Sequence, residues 1–195
     1  MTGSFSLIRK VAQPLAALMA LAWPFIIWLG VSYHALHWLL PLMALLLLLR
    51  LGLASKSHGP LRYIAQGAAL AGVTLCLASY LLREHQLLLW YPVVVNTVML
   101  AIFGASLWRG MPLVERIARL REPELPPEGV VYTRRVTQVW CGFFIGNGAM
   151  ALLTCLHGDM RLWTLWNGGI AYLLMGGLMA GEWLVRLRVI KREAR

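Results

Sequence analysis

The sequence predicts an all-α membrane protein, a bundle of six transmembrane helices. Hydrophobic residues make up 59% of the 195 residues and charged residues only 13%, and the apolar residues come in blocks of span length. A soluble domain carries about 25% charged residues, so too little charge remains here to cover a water-facing surface. A soluble enzyme, a disordered tail and a secreted disulfide scaffold are therefore excluded, and residues 1–195 are predicted to form a single transmembrane domain.

Each span needs roughly 20 apolar residues to cross a hydrocarbon core about 30 Å thick. Six segments meet this requirement, at about 11–32, 36–53, 63–82, 87–108, 136–156 and 162–185. The second segment is short and contains Arg50, whose long side chain can reach the headgroups from a helix end. Whether this second span crosses the membrane fully stays open.

The basic residues predict the orientation of the bundle. With six spans, 16 of the 18 Lys and Arg residues fall on one side of the membrane, and only Arg83 and Arg161 fall on the other. Because basic segments stay in the cytoplasm during insertion, both termini are predicted to be cytoplasmic. The net charge of +10 then reports orientation, and no nucleic-acid partner is expected.

The longest connection, residues 109–135, is predicted to hold a short amphipathic helix on the cytoplasmic leaflet. Pro112 suits a first helical position, and Glu115 and Arg119 are spaced as an i,i+4 pair on the polar face. Arg116 and Arg119 are expected to reach anionic lipid headgroups. The alternatives are a solvated linker and a partner-docking surface. The apolar residues recur at helical spacing: Leu113, Val114, Ile117 and Leu120.

Glycines in the predicted spans indicate close helix packing. Gly142 and Gly146 form a G-x-x-x-G motif in the fifth span, and Gly177 and Gly181 form another in the sixth. Small residues at this spacing let helix backbones approach in lipid. We expect a tightly packed hairpin of spans five and six, with homodimerisation as the second interpretation. The third span carries Gly67, Ala68, Ala71 and Gly72 in the same style.

Three asparagines are predicted to lie within the bilayer. At 1.5 Å per residue, Asn96 lies about 14 Å and Asn167 about 8 Å from the outer ends of their spans, and Asn147 lies near the midplane. We expect Asn96, Asn147 and Asn167 to meet in one polar cluster in the outer half of the bundle. The cluster is either interhelical glue or a site for a lipid headgroup or solute, and it would bind without catalysing.

Glu182 is the only acidic residue placed inside a predicted span, and Arg186 follows it one helical turn later. The pattern predicts an interfacial ion pair. A proton-relay carboxylate is the alternative, but a relay needs further ionisable groups along a path, and the sequence offers none above Glu182.

Catalytic and metal-binding patterns do not appear. The sequence has no G-x-S-x-G, H-E-x-x-H or P-loop motif, and its three cysteines lack metal-ligand spacing. No enzyme activity, cofactor or metal site is therefore expected. The nine tryptophans lie mostly near predicted span ends and are interpreted as interfacial anchors.

Several stretches resemble the intracellular septation protein A family of small bacterial inner-membrane proteins. These are Trp23-Pro24-Phe25, Pro112-Leu113-Val114-Glu115-Arg116 and Phe143-Phe144-Ile145-Gly146-Asn147, in the same order as in that family. The chain is most similar to an uncharacterised branch associated with aryl-polyene gene clusters. Where that family tends to show a lysine, this chain has Asn167. The resemblance implies a bacterial inner-membrane protein with an accessory role in the cell envelope.

Two functions are therefore expected, from different classes. The first is a non-catalytic accessory or scaffold protein in cell-envelope or membrane-lipid biosynthesis, with membrane lipids and a membrane protein or a second copy as partners. The second is a carrier or flippase for a lipid-linked or polyene-type product, with the three asparagines lining its path. The second function predicts a cavity in the outer half of the bundle.

Overall fold

The computed structural model describes residues 22, 24–30, 36–55, 61–82, 85–108, 110–120 and 122–193. Every regular element in this part of the chain is a helix. Residues 24–30 are helical, and the later elements are α1 (Leu36–Ser55), α2 (Leu61–Leu82), a 3₁₀ helix (His85–Trp90), α3 (Tyr91–Trp108), α4 (Leu113–Ala118), α5 (Pro127–His157), α6 (Met160–Leu165), a π-helical turn (Trp166–Ile170) and α7 (Ala171–Glu193).

Four helical stretches of the described residues are long and apolar enough to cross a membrane. They are Arg62–Leu82, Gln86–Trp108, Pro127–His157 and Met160–Arg186, and they coincide with predicted spans three to six. The all-helical fold is therefore confirmed, with four candidate membrane spans among the described residues. Predicted span two corresponds to α1, whereas most of predicted span one and both chain ends lie outside the described residues.

The fifth span begins earlier than predicted. The helix α5 starts at Pro127, about three turns before the predicted start at residue 136, because Pro127 takes the first helical position, where its missing N–H costs nothing. The helix ends at Gly158, whose φ of 77° places it in the left-handed region that favours glycine. Asp159 then begins α6 by accepting hydrogen bonds from the amides of Arg161 (2.7 Å) and Leu162 (3.3 Å).

The sixth span is interrupted. The π-helical turn separates α6 from α7, and the side chain of Asn167 within it donates a 2.9 Å hydrogen bond to the Trp163 carbonyl. Such insertions occur frequently at functional positions of helices. Beyond the turn α7 is largely exposed, with Leu173 77% and Trp183 59% exposed. A membrane would therefore cover much of α7.

Two buried clusters hold the bundle together. The larger one joins α1, α2, the 3₁₀ helix and α6, and Trp163 at its centre is 1% exposed. The indole Nε1 of Trp163 and the Sγ of Cys155 both donate to the Leu89 carbonyl, each over 3.0 Å. The smaller cluster is built on Phe103, Leu113 and Phe144, at the end of the bundle that carries residues 110–126. We call this end the loop end.

Candidate functional site

A cavity of about 580 Å³ opens at the loop end. Its size lies within the range of about 300–1,000 Å³ that is typical of ligand sites. It lies between α7 on one side and α2, α3, α4 and α5 on the other, and most of its lining is apolar. The apolar lining residues include Ile64, Met99, Phe103, Val114, Ile117, Leu125, Val136, Trp140, Phe144, Met175 and Met179.

Aromatic rings form the deep end of the cavity. Phe103 of α3 and Phe144 of α5 meet edge to face, with ring centroids 5.1 Å apart. Trp140 lies 5.7 Å from Phe144 and 6.3 Å from Phe103. Edge-to-face pairs of this kind add to the stability of a packed cluster. This end of the cavity is therefore a stiff apolar surface shared by two helices.

The helix α4 forms one wall, and Ser106 attaches it to α3. The hydroxyl of Ser106 donates to the Phe103 carbonyl over 2.6 Å and accepts the amide of Leu113 over 3.0 Å. Leu113 is 2% exposed and packs against Phe103 and Phe144. The first amide of α4, which a helix leaves without a partner, is thus satisfied by the preceding helix.

An ion pair between a buried glutamate and a partly exposed arginine stabilises the same wall. Glu115 is only 4% exposed, and its Oε1 lies 2.8 Å from the guanidinium of Arg119. The same guanidinium donates to the Pro123 carbonyl over 2.8 Å, which fixes the chain after α4. The predicted i,i+4 pair is confirmed, but Glu115 lies on a buried face rather than on the polar face that the spacing indicated.

The apolar side of the predicted amphipathic segment therefore packs against the helix bundle. Pro112 precedes α4 instead of occupying its first position, and Leu113 and Ile117 pack in the Phe103 cluster. Arg116 donates to the Met111 carbonyl over 2.9 Å, so both arginines predicted to reach headgroups hydrogen-bond to this chain. The helix was predicted as a lipid-facing element because sequence spacing alone does not say which surface an apolar face covers.

The charged groups and the phenol of the cavity lining belong to four residues at the loop end: Glu122, Tyr132, Glu182 and Arg186. We call them the mouth. The hydroxyl of Tyr132 lies 2.9 Å from the Glu182 carbonyl oxygen and 3.3 Å from its Oε1, and these contacts connect α5 to α7. The predicted Glu182–Arg186 ion pair is wrong, because no contact within 4.0 Å joins the two side chains; the only ion pair among the described residues is Glu115–Arg119. The Tyr132 hydroxyl lies against Glu182 instead.

The asparagine pair lies just beyond the deep end of the cavity. Asn147 of α5 donates its Nδ2 to Asn96 Oδ1 of α3 over 3.2 Å, and both residues are buried. Trp166 of the π-helical turn donates its indole N–H to Asn147 Oδ1 over 3.2 Å, and Asn96 donates to the Pro92 carbonyl over 2.8 Å. Three elements are thus joined by one chain of hydrogen bonds.

Asn167 does not contact the other two asparagines. Its Nδ2 donates to Thr154 Oγ1 over 3.2 Å and to the Trp163 carbonyl, and its buried Oδ1 has no hydrogen-bond partner. The prediction that all three asparagines form one cluster is therefore wrong for Asn167. The preceding residue, Trp166, is the one that hydrogen-bonds to Asn147. None of the asparagines lines the described cavity.

The predicted glycine hairpin is also wrong. Gly142, Gly146, Gly177 and Gly181 are exposed, and a Cβ built on any of them meets no described atom within 4 Å. The close approaches occur at other glycines. A Cβ on Gly148 would lie 3.1 Å from the Asn96 Cβ, and one on Gly72 would lie 2.6 Å from Leu47. The two G-x-x-x-G motifs therefore do not contact the described helices, and homodimerisation stays a prediction.

Most residues that line the cavity were not predicted from the sequence. Trp140 and Trp166 were interpreted as anchors, although one lines the cavity and the other binds Asn147. Tyr132 is predicted in the connection 109–135, whereas it lies within α5. Pro127, which suits a first helical position, was the signal that this helix begins before residue 136. In the described part of the chain no three His, Cys, Asp or Glu side chains are arranged to hold a metal ion.

The geometry can bind an apolar molecule, and Tyr132 against Glu182 is the place where a hydroxyl of the lining contacts a carboxylate. Comparison with protein-family models, curated proteins and solved structures finds no match to this chain.

Proposed function

We propose that this protein is a non-catalytic integral membrane accessory protein of membrane-lipid or cell-envelope biosynthesis, and that its loop-end cavity holds a lipid acyl chain. The observation that carries the proposal is the 580 Å³ apolar cavity with all of its charged lining residues at one end. A lipid has the same arrangement, with an apolar chain and a polar head.

The depth of the cavity supports a lipid chain as the occupant. Along α5 the lining runs from Gly129 to Phe144, and along α7 from Arg186 to Met175. At 1.5 Å per residue these stretches measure about 22 Å and about 16 Å. One leaflet contributes about 15 Å of the hydrocarbon core. The two helices thus give the cavity about the depth of a single acyl layer.

The proposal includes the topology that the basic residues predict. In it six spans cross a bacterial inner membrane, both termini and the loop end are cytoplasmic, and the cavity opens to the inner leaflet. The resemblance to the septation protein A family favours the same location. Reporter fusions that place the amino and carboxyl ends in different compartments would contradict this orientation.

The carrier or flippase hypothesis has weaker support. It was based on a path lined by the three asparagines, whereas two of them hydrogen-bond to each other and the described cavity lies at the loop end. We therefore favour lipid holding, with delivery to or from a membrane enzyme as the accessory role. Copurification in mild detergent of an acyl-chain-processing or membrane partner would support that role.

Lipid retention by a cavity-filled variant tests the proposal. Val136 lines the cavity, whereas Val139, one turn further along α5, is 53% exposed. Val136→Trp should fill the space and reduce the lipid that copurifies with the protein, and Val139→Trp is the matched control. Native mass spectrometry of both variants, released from nanodiscs, measures bound lipid per protein. Equal lipid occupancy in the two variants would refute the proposed function.

A further inference from the structure

We propose that the mouth recognises a zwitterionic aminophospholipid head group, with the phosphate on Arg186 and the primary ammonium on the carboxylates of Glu122 and Glu182. This inference rests on the proposed function and adds the chemical class of the lipid. It begins from the charges that the fold leaves at the mouth.

These charges are not matched within the described protein. Arg186 has no hydrogen bond or ion pair among the described residues, and neither has the Glu122 side chain. Glu182 shares only one carboxylate oxygen with Tyr132, over 3.3 Å, and leaves the other free. Glu122 is exposed and Glu182 and Arg186 are half-buried, so all three charged groups are accessible to a ligand at this end of the cavity. The mouth therefore presents one cation and two anions to whatever enters.

The sign of these groups selects the ligand. A guanidinium binds phosphate with two parallel hydrogen bonds, and carboxylates accept hydrogen bonds from a primary ammonium. A purely anionic head would leave both carboxylates unmatched. A quaternary ammonium head has no N–H to donate. A phosphoethanolamine head carries both the phosphate and the donating ammonium.

The acyl chain cannot supply this selectivity. A chain that moves from the bilayer into an apolar cavity gains no hydrophobic energy, because lipid tails are already as apolar as leucine. The preference between lipids must therefore come from polar contacts at the mouth. Glu182 and Arg186 lie on the same helix, one turn and about 6 Å apart along its axis. The carboxylate and the guanidinium can therefore contact the same head group.

The position of the mouth fits a head group as well. Glu122 lies in the connection after α4, and Tyr132 lies in the first two turns of α5. The aromatic end lies about 18 Å deeper along α5. A lipid with its head at the mouth thus has its chain directed toward Phe144 and the bilayer interior.

Lipid competition tests the inference. The full chain is placed in nanodiscs that contain equal amounts of phosphatidylethanolamine, phosphatidylglycerol and phosphatidylcholine, and native mass spectrometry measures which lipids stay bound. Wild-type protein should enrich phosphatidylethanolamine. Glu182→Gln should lower this enrichment about tenfold, since a hydrogen bond to a charged group contributes at least about that factor. Arg186→Gln removes a phosphate contact that all three lipids share, so it should lower the total lipid bound and leave the preference among the three lipids unchanged.

Matched controls separate recognition from folding and from total charge. Arg135→Gln and Glu128→Gln change exposed residues of the same end that do not line the cavity, and they should keep the wild-type preference. In Glu182→Gln the amide oxygen still accepts the Tyr132 hydrogen bond, so this variant retains the α5–α7 contact. Bound lipid without any head-group preference in wild type, or an unchanged preference in Glu182→Gln, would overturn the inference and leave the proposed function standing. Absence of bound lipid in wild type would overturn both.

Discussion

The hydrogen bond between Asn96 and Asn147 gives the most direct test of how this bundle is held together. Both side chains are buried, and the 3.2 Å contact joins α3 to α5. Asn147 also accepts the indole N–H of Trp166. Asn147→Leu therefore removes two contacts between elements, and Asn96→Leu removes one of them together with the bond to the Pro92 carbonyl in its own helix.

A double-mutant cycle measures the shared contact. Interhelical hydrogen bonds in membrane proteins contribute about 0.6 kcal/mol on average and about 1.7 kcal/mol at most. We expect a coupling free energy within that range for the Asn96→Leu and Asn147→Leu pair. The single variant Asn147→Leu should lower the free energy of unfolding by about 1–3 kcal/mol, because two contacts are lost.

Reversible unfolding in mixed detergent micelles, followed by tryptophan fluorescence, supplies the four free energies of the cycle. The control cycle pairs Asn96→Leu with Asn167→Leu, because Asn167 hydrogen-bonds to Thr154 and Trp163 instead of Asn96. Its coupling should be close to zero. Coupling of the same size in both cycles, or none in the Asn96–Asn147 cycle, would refute the assignment of this bond as a specific link.

Three further predictions concern the helices around the cavity. Ser106→Ala should lower the free energy of unfolding by about 1–3 kcal/mol, because a buried backbone amide of α4 loses its acceptor, and hydrogen exchange at α4 should rise; unchanged exchange would contradict this. Arg119→Gln should destabilise more than the double variant with Glu115→Gln, because the single change leaves a buried carboxylate without its cation; the reverse order in thermal unfolding would contradict it. Gly148→Ala should be less stable than Gly146→Ala, because the new Cβ at position 148 would lie 3.1 Å from the Asn96 Cβ of a neighbouring helix, whereas the one at position 146 meets open space; equal effects in micelle unfolding would contradict the packing.

The sequence was sufficient for features that depend on length and depth. Four predicted spans coincide with helices because about 20 apolar residues satisfy a bilayer regardless of their neighbours. The Asn96–Asn147 contact followed from depth as well, since both residues were placed near the same level of the bilayer. The depth of a residue does not indicate which side of its helix the side chain lies on. For this reason Asn167 was grouped with the pair, although Trp166 is the residue that faces Asn147.

Features that depend on the direction of a helix face were missed. A G-x-x-x-G motif places two glycines, four positions apart, on one side of a helix. It does not indicate what lies opposite them, and Gly146 meets no neighbouring helix among the described residues. Glu182 and Arg186 have the spacing of an ion pair, but the hydroxyl of Tyr132 lies against the carboxylate from α5. The cavity was not predictable for the same reason, since its lining comes from five separate helices.

The connection between α5 and α6 has a consequence for how the chain is assembled. Only Gly158 and Asp159 separate the two helices, one through its left-handed backbone and the other through its side-chain cap. The entropy cost of closing so short a loop is small, and contacts between neighbouring segments form before distant ones. The turn therefore adds little entropy cost to bringing α5 and α6 together, and replacing Gly158 by a residue with a Cβ would strain its left-handed backbone.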